Sequence, residues 1–352
     1  MERYKAIGLM SGTSLDGVDA AACEFWLDNG KWNFLIHAAQ TSPYPDEWRL
    51  RLSALHQADA QTFARTNAEY GHLLGKLARD FMNRTGFKPL LIASHGHTIF
   101  HQPSGGFTCQ VGAGSAIAAE SGLPVVSDFR SLDVALGGQG APLVPIGDRL
   151  LFGDYDACLN LGGFANISME SENQRIAFDI CPANFVLNLL ANLLGMPYDM
   201  NGELARMGKI DLALLQNLND LEYYTLPFPK SLGREWAEIN ILPLLSGCPA
   251  DTPSLLRTFT EHIAIQVNHA LIGQKPQKVL VTGGGANNLF LLEQIIRSGP
   301  HRWIKPDDDL TNFKEALIFA FLGILRWIGQ VNVLKSGTGS RMDHCGGSIY
   351  II

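Results

Sequence analysis

The segment GLMSGTSLDGVD, residues 8–19, carries more potential ligand groups than a hairpin turn needs. It has three glycines, three small hydroxyl residues and two carboxylates between stretches that both fit strands. A two-residue turn requires only one Asn-Gly or Asp-Gly pair. Glycines allow the backbone to approach an anion and to direct N–H groups at it, and Asp16 and Asp19 could hold a metal that accompanies phosphate. The alternative is an elaborate loop with solvated polar residues.

Two further glycine elements lie in the second half of the chain, at Gly162-Gly163 and at GGGAN, residues 283–287. The second of these joins a buried strand pattern to a helical one. Amide groups at a helix N-terminus attract anions, and a bare loop lets a flat ring lie on the backbone. A tight strand-to-helix connection is the alternative, although one glycine would suffice for it.

Two common nucleotide motifs are excluded. Gly202 and Gly208 enclose five residues where a P-loop has four, and Ile210 stands where a Ser or Thr should reach magnesium. Gly112 and Gly114 are not followed by the third glycine of a dinucleotide-binding fingerprint.

Asp179 ends a strand-like segment just before a predicted helix. At that edge of a sheet it could face a ligand, or it could simply cap the helix, and the pattern favours neither. His95, His97 and His101 suggest a metal because residues i and i+2 share one face of a strand. No carboxylate or cysteine at matching spacing completes such a site, so hydrogen bonding to a polar ligand is favoured.

Composition narrows the class of protein. A length of 352 residues favours two domains, and 46% hydrophobic with 17% charged residues is typical of globular proteins. The net charge of -7, without a Lys/Arg block, argues against nucleic acid or an anionic membrane as partner. Six scattered cysteines without a Cys-x-x-Cys pair predict reduced thiols in a cytoplasmic protein, and no signal peptide is recognised at the start.

The elements that must position these residues repeat along the chain. In the first half, strands are predicted at about 5–10, 18–26, 33–40, 90–94 and 124–127, with helices at 61–84 and 113–121. After Gly137–Gly140 the pattern restarts, with a Gly-turned hairpin over 157–170, strands at 175–180 and 278–282, and helices at 184–195 and 254–273. This order predicts two α/β domains of similar plan with a cleft between them.

Taken together, the motifs resemble those of the anhydro-N-acetylmuramic acid kinases, in the sugar kinase/Hsp70/actin superfamily. The resemblance runs from residue 7 to beyond 340. It is carried by GLMSGTSLDGVDAA, SHGHT, QVGAGSAIAAESGLPVVSDFRSLDVALGGQGAPLVP, LNLGGFANIS, KSLGREW and VTGGGANN. It implies two actin-like (RNase H-like) domains with an interdomain cleft. One would comprise residues 1–135 plus about 337–352, and the other residues 136–336.

The resemblance also implies roles for individual residues. Asp179 would be the general base. His97, Asp128, Arg130 and Glu315 would lie near the sugar. No metal site made of protein ligands is implied, but Mg²⁺ is expected to accompany ATP. The residues implied to bind ATP are Gly12, Thr13, Ser14, Leu15, Asp16, Gly17, Val18, Asp19, Gly162, Gly163, Gly283, Gly284, Gly285 and Asn287.

The implied activity is that of an ATP-dependent kinase, acting in peptidoglycan recycling as a cytoplasmic homodimer. It would open 1,6-anhydro-N-acetylmuramic acid and phosphorylate O6 to give N-acetylmuramic acid 6-phosphate. Two alternatives are a kinase for another 1,6-anhydro sugar, such as levoglucosan, and a catalytically weak nucleotide-dependent sugar sensor.

The chain departs from the family's sequence pattern at one motif. The family's usual Asp-Thr-Gly-Pro-Gly-Asn reads Asp-Ile-Cys-Pro-Ala-Asn at residues 179–184, and the Cβ atoms of Cys181 and Ala183 could narrow the path of the phosphoryl group.

Overall fold

The computed structural model describes residues 2–12, 15–271 and 275–352. It divides the chain into two compact units. Unit 1 comprises Met1–Gly153 and Phe313–Ile352, and unit 2 comprises Asp154–Asn312. Each unit has its own sheet, and helices from the same unit pack against that sheet.

The elements up to residue 153 are β1 (Arg3–Met10), β2 (Gly17–Asp28), β3 (Lys31–Pro43), α1 (Asp46–Ala54), α2 (Ala60–Thr85), β4 (Leu91–Ser94), β5 (His97–Gln102), β6 (Phe107–Val111), α3 (Gly114–Ser121), β7 (Val125–Ser127), α4 (Ser131–Ala135) and α5 (Val144–Leu151). Unit 2 then contributes β8 (Ala157–Leu161), β9 (Phe164–Ser171), β10 (Gln174–Pro182), α6 (Asn184–Asn192), α7 (Glu203–Met207), α8 (Leu212–Asn219), α9 (Arg234–Asn240), α10 (Leu242–Ser246), α11 (Thr252–His269), β11 (Lys278–Thr282), α12 (Leu289–Arg297) and β12 (Arg302–Ile304). The chain ends with α13 (Asp308–Trp327), α14 (Lys335–Thr338) and β13 (Ser348–Tyr350).

The main sheets of the two units share one strand plan. Unit 1 has the order β13-β7-β4-β1-β2-β3, and unit 2 has the order β10-β9-β8-β11-β12. In each, three antiparallel strands are followed by two parallel ones, and unit 1 adds β13 as an antiparallel edge. The repeated hairpin-first pattern of the sequence therefore corresponds to a repeated sheet. The predicted α/β class, with two domains of similar plan, is confirmed.

The sequence of helix α2 explains where the helix begins, which face it buries and where it ends. Asp59 caps it, since its Oδ1 accepts a hydrogen bond from the N–H of Thr62 at 2.9 Å. Tyr70, Leu74 and Phe81 fall on one face of the helix and are at most 1% exposed. The helix ends at Gly86, whose φ of 68° is left-handed. The predicted helix at 61–84 is confirmed.

Helix α13 contains the longest apolar run of the sequence. Its apolar side chains from Ala316 to Leu325 are at most 1% exposed, so the run forms protein core. The helix packs directly on strand backbone in unit 1, because a Cβ at Gly8 would lie 1.9 Å from the carbonyl oxygen of Ala316. None of the described helices combines the length and hydrophobicity needed to cross a bilayer.

The observed division differs from the predicted one at both boundaries, because residues 136–153 and 313–336 belong to unit 1. Phe152, just after α5, packs on Phe34 of β3 with ring centroids 5.4 Å apart. Asp148 of α5 and Lys314 of α13 form a buried ion pair at 2.8 Å. The glycines at 137–140 resemble a linker by composition, but they form a turn fixed by hydrogen bonds within unit 1.

Candidate active site

The β1–β2 turn carries the first cluster of predicted ligand groups. Thr13 and Ser14 lie outside the described residues. Ser11 begins the turn and is buried. Its Oγ lies 2.6 Å from the hydroxyl of Tyr44 and 2.9 Å from Nδ1 of His97. The turn is therefore anchored inside unit 1 at its first residue.

The far side of the turn presents carboxylates and backbone. Asp19 Oδ1 accepts a hydrogen bond from Thr41 Oγ1 at 2.6 Å. Burial raises the pKa of Asp19, the bond from Thr41 lowers it, and the nearby charge of Asp16 raises it. The side chain of Val18 points into the core. Gly17 is required by packing, because a Cβ there would lie 2.4 Å from the carbonyl oxygen of Ser42.

Arg130 is held in unit 1 by His95, for which the sequence pattern favours hydrogen bonding to a polar ligand over a metal. Its Nε and Nη2 lie 3.0 and 2.8 Å from His95 Nε2, and its Nη1 donates to the carbonyl of Gly140 at 2.6 Å. Because arginine can only donate, His95 accepts at Nε2, and its Nδ1–H donates to the carbonyl of Gly96 at 2.9 Å. Burial and the Arg130 charge lower the pKa of His95, which is therefore neutral. Burial lowers the pKa of Arg130 to about 10, so its charge persists at neutral pH.

Glu315 and Asp128 also belong to unit 1. Glu315 reaches solvent, but the protein atoms around its carboxylate raise its pKa. The charges of Lys314 and Arg130 lower that pKa, and the charge of Asp19 raises it. Asp128 is exposed, and its Oδ1 accepts from the N–H of Ser131 at 3.2 Å.

The three histidines of SHGHTIFH have different protein partners. His95 binds Arg130, His97 binds Ser11, and Nδ1 of His101 lies 3.0 Å from Oγ1 of Thr108. Within the described residues, no group of three or more His, Cys, Asp or Glu side chains is arranged to hold a metal ion. A polar-ligand role for His97 stays a prediction.

Asp179, in unit 2, is fixed by a segment 50 residues further along the chain. Its N–H donates to the carbonyl of Lys230 at 3.1 Å, and its own carbonyl accepts from the hydroxyl of Tyr223 at 2.6 Å. Its Oδ2 accepts from the N–H of Leu232 at 2.9 Å. Burial raises the pKa of the carboxyl, and the Leu232 bond lowers it.

The helix-capping interpretation of Asp179 is wrong. Strand β10 continues past Asp179 to Pro182, with an irregularity in its pairing between Asp179 and Cys181. Helix α6 begins at Asn184, and its N-cap residue is Ala183. The carboxylate therefore caps no helix, although it does bind a backbone N–H.

The segment that holds Asp179 is itself anchored by aromatic residues. Lys230 Nζ donates to the carbonyl of Tyr223 at 2.9 Å and lies 4.5 Å from the centre of its ring. The hydroxyl of Tyr224 lies 2.9 Å from Nε2 of His262 in α11, whose Nδ1 lies 2.7 Å from Oδ1 of Asn219. KSLGREW, residues 230–236, is one of the segments that carry the family resemblance. The structure shows that its first residues hold Asp179.

The glycine loop after β11 borders a cavity. Gly283 has a φ of 89°, and its N–H donates to the carbonyl of Thr311 at 2.8 Å. A short 3-10 turn, Gly284–Asn287, follows, and Asn288 caps α12. The cavity measures about 420 Å³, and its lining residues are Asn184, Leu187, Asn188, Tyr198, Asp199, Met200, Asn201, Gly284, Gly285, Asn287 and Asn288. The glycine pattern predicts a ligand at the loop. No local pattern indicates that side chains of residues 184–201 line the same cavity.

Comparison with known proteins decides the family. A family model described as anhydro-N-acetylmuramic acid kinase matches residues 4–352. The chain belongs to the anhydro-N-acetylmuramic acid kinase family. It is 34% identical over 372 residues to the anhydro-N-acetylmuramic acid kinase of Sulfurovum sp. (strain NBC37-1), with 100% of each chain covered. It is 36% identical to that of Streptomyces coelicolor, with 98% of this chain and 93% of the relative covered.

A solved structure is also similar over most of the chain. It is the (R)-2-hydroxyglutaryl-CoA dehydratase component A of Acidaminococcus fermentans, with a TM-score of 0.47 and 13% identity. The likeness covers 91% of this chain and 97% of that one.

This chain departs from the family pattern at Cys181 and Ala183, and both residues are 0% exposed. They pack in the core of unit 2 with the end of β10. The N–H groups of Ala183 and Asn184 donate to the carbonyls of Gly163 and Gly162 at 2.8 and 3.2 Å. The added Cβ atoms therefore lie in the interior of unit 2, and their effect on the path of the phosphoryl group stays a prediction.

Proposed function

We propose that this chain converts 1,6-anhydro-N-acetylmuramic acid, ATP and water to N-acetylmuramic acid 6-phosphate and ADP, in cell-wall recycling. The observation that carries the proposal is the family match from residue 4 to 352, together with relatives covered over nearly their whole length. Asp179, whose carboxylate is expected to act as base, is present. Its backbone binds the carbonyl of Lys230 and the hydroxyl of Tyr223, and its carboxylate binds the N–H of Leu232.

The substrate sets the chemistry. In a 1,6-anhydro sugar, O6 carries no proton because it is bonded to C1. Water adds to C1 and gives a proton to a base, and the C1–O6 bond breaks with its electron pair going to O6. O6 forms a bond to the γ-phosphorus of ATP, and ADP leaves. The product contains one added water and one added phosphoryl group.

Asp179 suits the role of base. Its Oδ2 is held by the N–H of Leu232, and among the described residues no donor binds its Oδ1. Burial raises its pKa, so the carboxylate is a stronger base than an exposed aspartate. An oriented carboxylate with one oxygen available can accept a proton from water.

We assign ATP to the three glycine elements. The amides of residues 12–19 and of Gly162-Gly163 would bind phosphates, and the cavity beside Gly284 would take the adenosine. Asp16 and Asp19 fit Mg²⁺, which proteins bind through one or two carboxylates together with substrate phosphates. When bound, it would neutralise phosphate charge.

His97, Asp128, Arg130 and Glu315 are the proposed sugar-binding residues in unit 1. Arg130 keeps its charge at neutral pH and could meet a carboxylate, while Glu315 could accept from sugar hydroxyls. The homodimeric state and the cytoplasmic location also stay predictions.

A panel of anhydro sugars tests the activity. We expect ADP release with 1,6-anhydro-N-acetylmuramic acid, and a product whose mass shows one added water and one added phosphoryl group. Levoglucosan lacks the acetamido and lactyl groups, so its kcat/KM should be at least about tenfold lower. Equal kcat/KM values would indicate a general anhydro-sugar kinase. Nucleotide binding without a phosphorylated sugar would indicate a sensor.

Two adjacent tyrosines test the support of Asp179. Tyr223→Phe removes the hydroxyl that holds the Asp179 carbonyl, so we expect kcat to fall about fivefold. Tyr224→Phe removes a hydroxyl that meets His262 and not Asp179, so it should lower the melting temperature with little change in kcat. Steady-state kinetics and thermal melts check both variants. Equal losses of kcat would show that the segment acts only through stability.

A further inference from the structure

Four buried side chains of unit 1 form a continuous hydrogen-bonded chain that ends at His97. The hydroxyls of Tyr70 and Tyr44 are in contact, the Tyr44 hydroxyl lies 2.6 Å from Ser11 Oγ, and Ser11 Oγ lies 2.9 Å from Nδ1 of His97. The four residues are between 0 and 6% exposed. Solvent therefore does little to satisfy their hydroxyl groups, and the protons must be accommodated within the chain.

Counting protons fixes the direction of this chain. Its three contacts can use three protons, and the hydroxyls of Tyr70, Tyr44 and Ser11 already supply three. Burial raises the pKa of both tyrosines, so both stay protonated. If Nδ1 of His97 also carried a proton, one buried O–H or N–H would have no acceptor among the residues that the structure describes. An unpaired buried donor is costly, so Nδ1 must be the final acceptor.

We infer that His97 is held as the neutral Nε2–H tautomer, and that Ser11 and Tyr44 are positioning residues that aim this N–H at an acceptor oxygen of the sugar. The second part rests on the proposed function, and the first does not. Burial lowers the pKa of His97 to about 4, so the ring is neutral near pH 7. No described residue binds Nε2, which leaves that atom for a ligand.

His95 provides a contrast two residues away. There Arg130 donates to Nε2, and the proton lies on Nδ1. The two histidines therefore have opposite tautomers set by different partners, and His97 offers an uncharged donor. The Nε2–H of His97 can donate to an acetamido or lactyl oxygen of the sugar, since both are hydrogen-bond acceptors. The Ser11 proton is directed at His97, so this hydroxyl is not available to a phosphate.

Nuclear magnetic resonance of the full chain labelled with ¹⁵N-histidine reads the tautomer directly. His97→Gln assigns the His97 signals among the ten histidines. We expect the wild-type protein to carry the His97 proton on Nε2. Ser11→Ala removes the described partner of Nδ1, so no hydrogen bond there favours either tautomer, and a mixture should appear. Tyr44→Phe leaves Ser11 with one proton for its one remaining contact, at Nδ1, so the His97 proton should stay on Nε2. Tyr4→Phe is the matched control. It removes a tyrosine hydroxyl on β1, outside this hydrogen-bonded series, and should leave the His97 signals unchanged.

A wild-type proton on Nδ1, or an unaltered tautomer in Ser11→Ala, would overturn the inference. Should Ser11→Ala fold poorly in a thermal melt, the wild-type and Tyr44→Phe proteins still test the inference, because both must carry the His97 proton on Nε2.

Kinetics test the role toward the sugar. Ser11→Ala should raise the KM for 1,6-anhydro-N-acetylmuramic acid about five- to tenfold, with kcat and the KM for ATP within about twofold of wild type. An equal rise in both KM values would mean that the chain of hydroxyls serves the β1–β2 turn, and the inferred role would be wrong. Failure of the proposed function would look different. The wild-type protein would then phosphorylate no sugar, while the tautomer result would still stand.

Discussion

Asp179→Asn should lower the kcat for 1,6-anhydro-N-acetylmuramic acid by about 100-fold or more, the usual scale of general-base catalysis. An amide cannot take the proton of the attacking water. Its oxygen can still accept from the N–H of Leu232, so the local structure should persist. ATP affinity should stay near wild type, because the lost interaction is made mainly in the transition state. Steady-state turnover and calorimetric ATP titration are the measurements.

Stability separates this effect from misfolding. Because burial raises the pKa of Asp179 above its value in an unfolded chain, ionisation at neutral pH costs the folded state free energy. The neutral asparagine should therefore melt at or above the wild-type temperature. Asp251→Asn is the matched control, since Asp251 also accepts a backbone N–H, at the start of α11, and Asn caps equally well. If Asp179→Asn kept most of its turnover, the base assignment would be wrong.

The pH dependence of kcat follows from the same carboxyl group. A base works only when deprotonated, so kcat should fall as the pH drops through the pKa of Asp179. Burial places that pKa above 3.8, the ordinary value, and the Leu232 bond limits the rise. The acidic limb of the kcat profile should therefore lie above pH 3.8, and it should be absent from the residual activity of Asp179→Asn.

The sequence predicted the elements with strong, local patterns. The strands around both glycine hairpins and helix α2 have clear apolar periodicity and turn residues. The hairpin of β5 and β6, and the short helices α7–α10, were missed. Each short helix spans five to eight residues, too few for periodicity to be diagnostic, and tertiary packing must stabilise it.

In the candidate site, too, local features can be predicted from the sequence and long-range contacts cannot. Glycine loops and a carboxylate at a sheet edge can be identified from sequence because their chemistry lies within a few residues. The partners that fix them cannot. Leu232 reaches Asp179 across 53 residues, Arg130 reaches His95 across 35, and His97 reaches Ser11 across 86. No local spacing encodes such contacts, so a sequence can suggest which groups are candidates but not what orients them.

Gly284→Val should weaken ATP binding about 30-fold or more without unfolding the protein. The backbone of Gly284 has no positive φ, so valine is tolerated there. A Cβ would meet only Asn184 Nδ2, at 3.9 Å, and both residues line the cavity of about 420 Å³. The added side chain would therefore occupy space that the nucleoside needs. Losing burial of a group that large is worth about 2–3 kcal/mol.

Two comparisons make the test specific to the nucleoside. Tripolyphosphate lacks adenosine, so its affinity should be the same in wild type and Gly284→Val if phosphates bind elsewhere. Gly337→Val is the matched control protein, because a Cβ at Gly337 meets nothing closer than Pro142 O at 3.6 Å, and its ATP affinity should be unchanged. Calorimetric titration gives each affinity, and thermal melts confirm folding. A folded Gly284→Val protein with wild-type ATP affinity would place the adenosine outside this cavity. Equal weakening of ATP and tripolyphosphate would mean that the loop binds phosphate, because only a phosphate contact is common to both ligands.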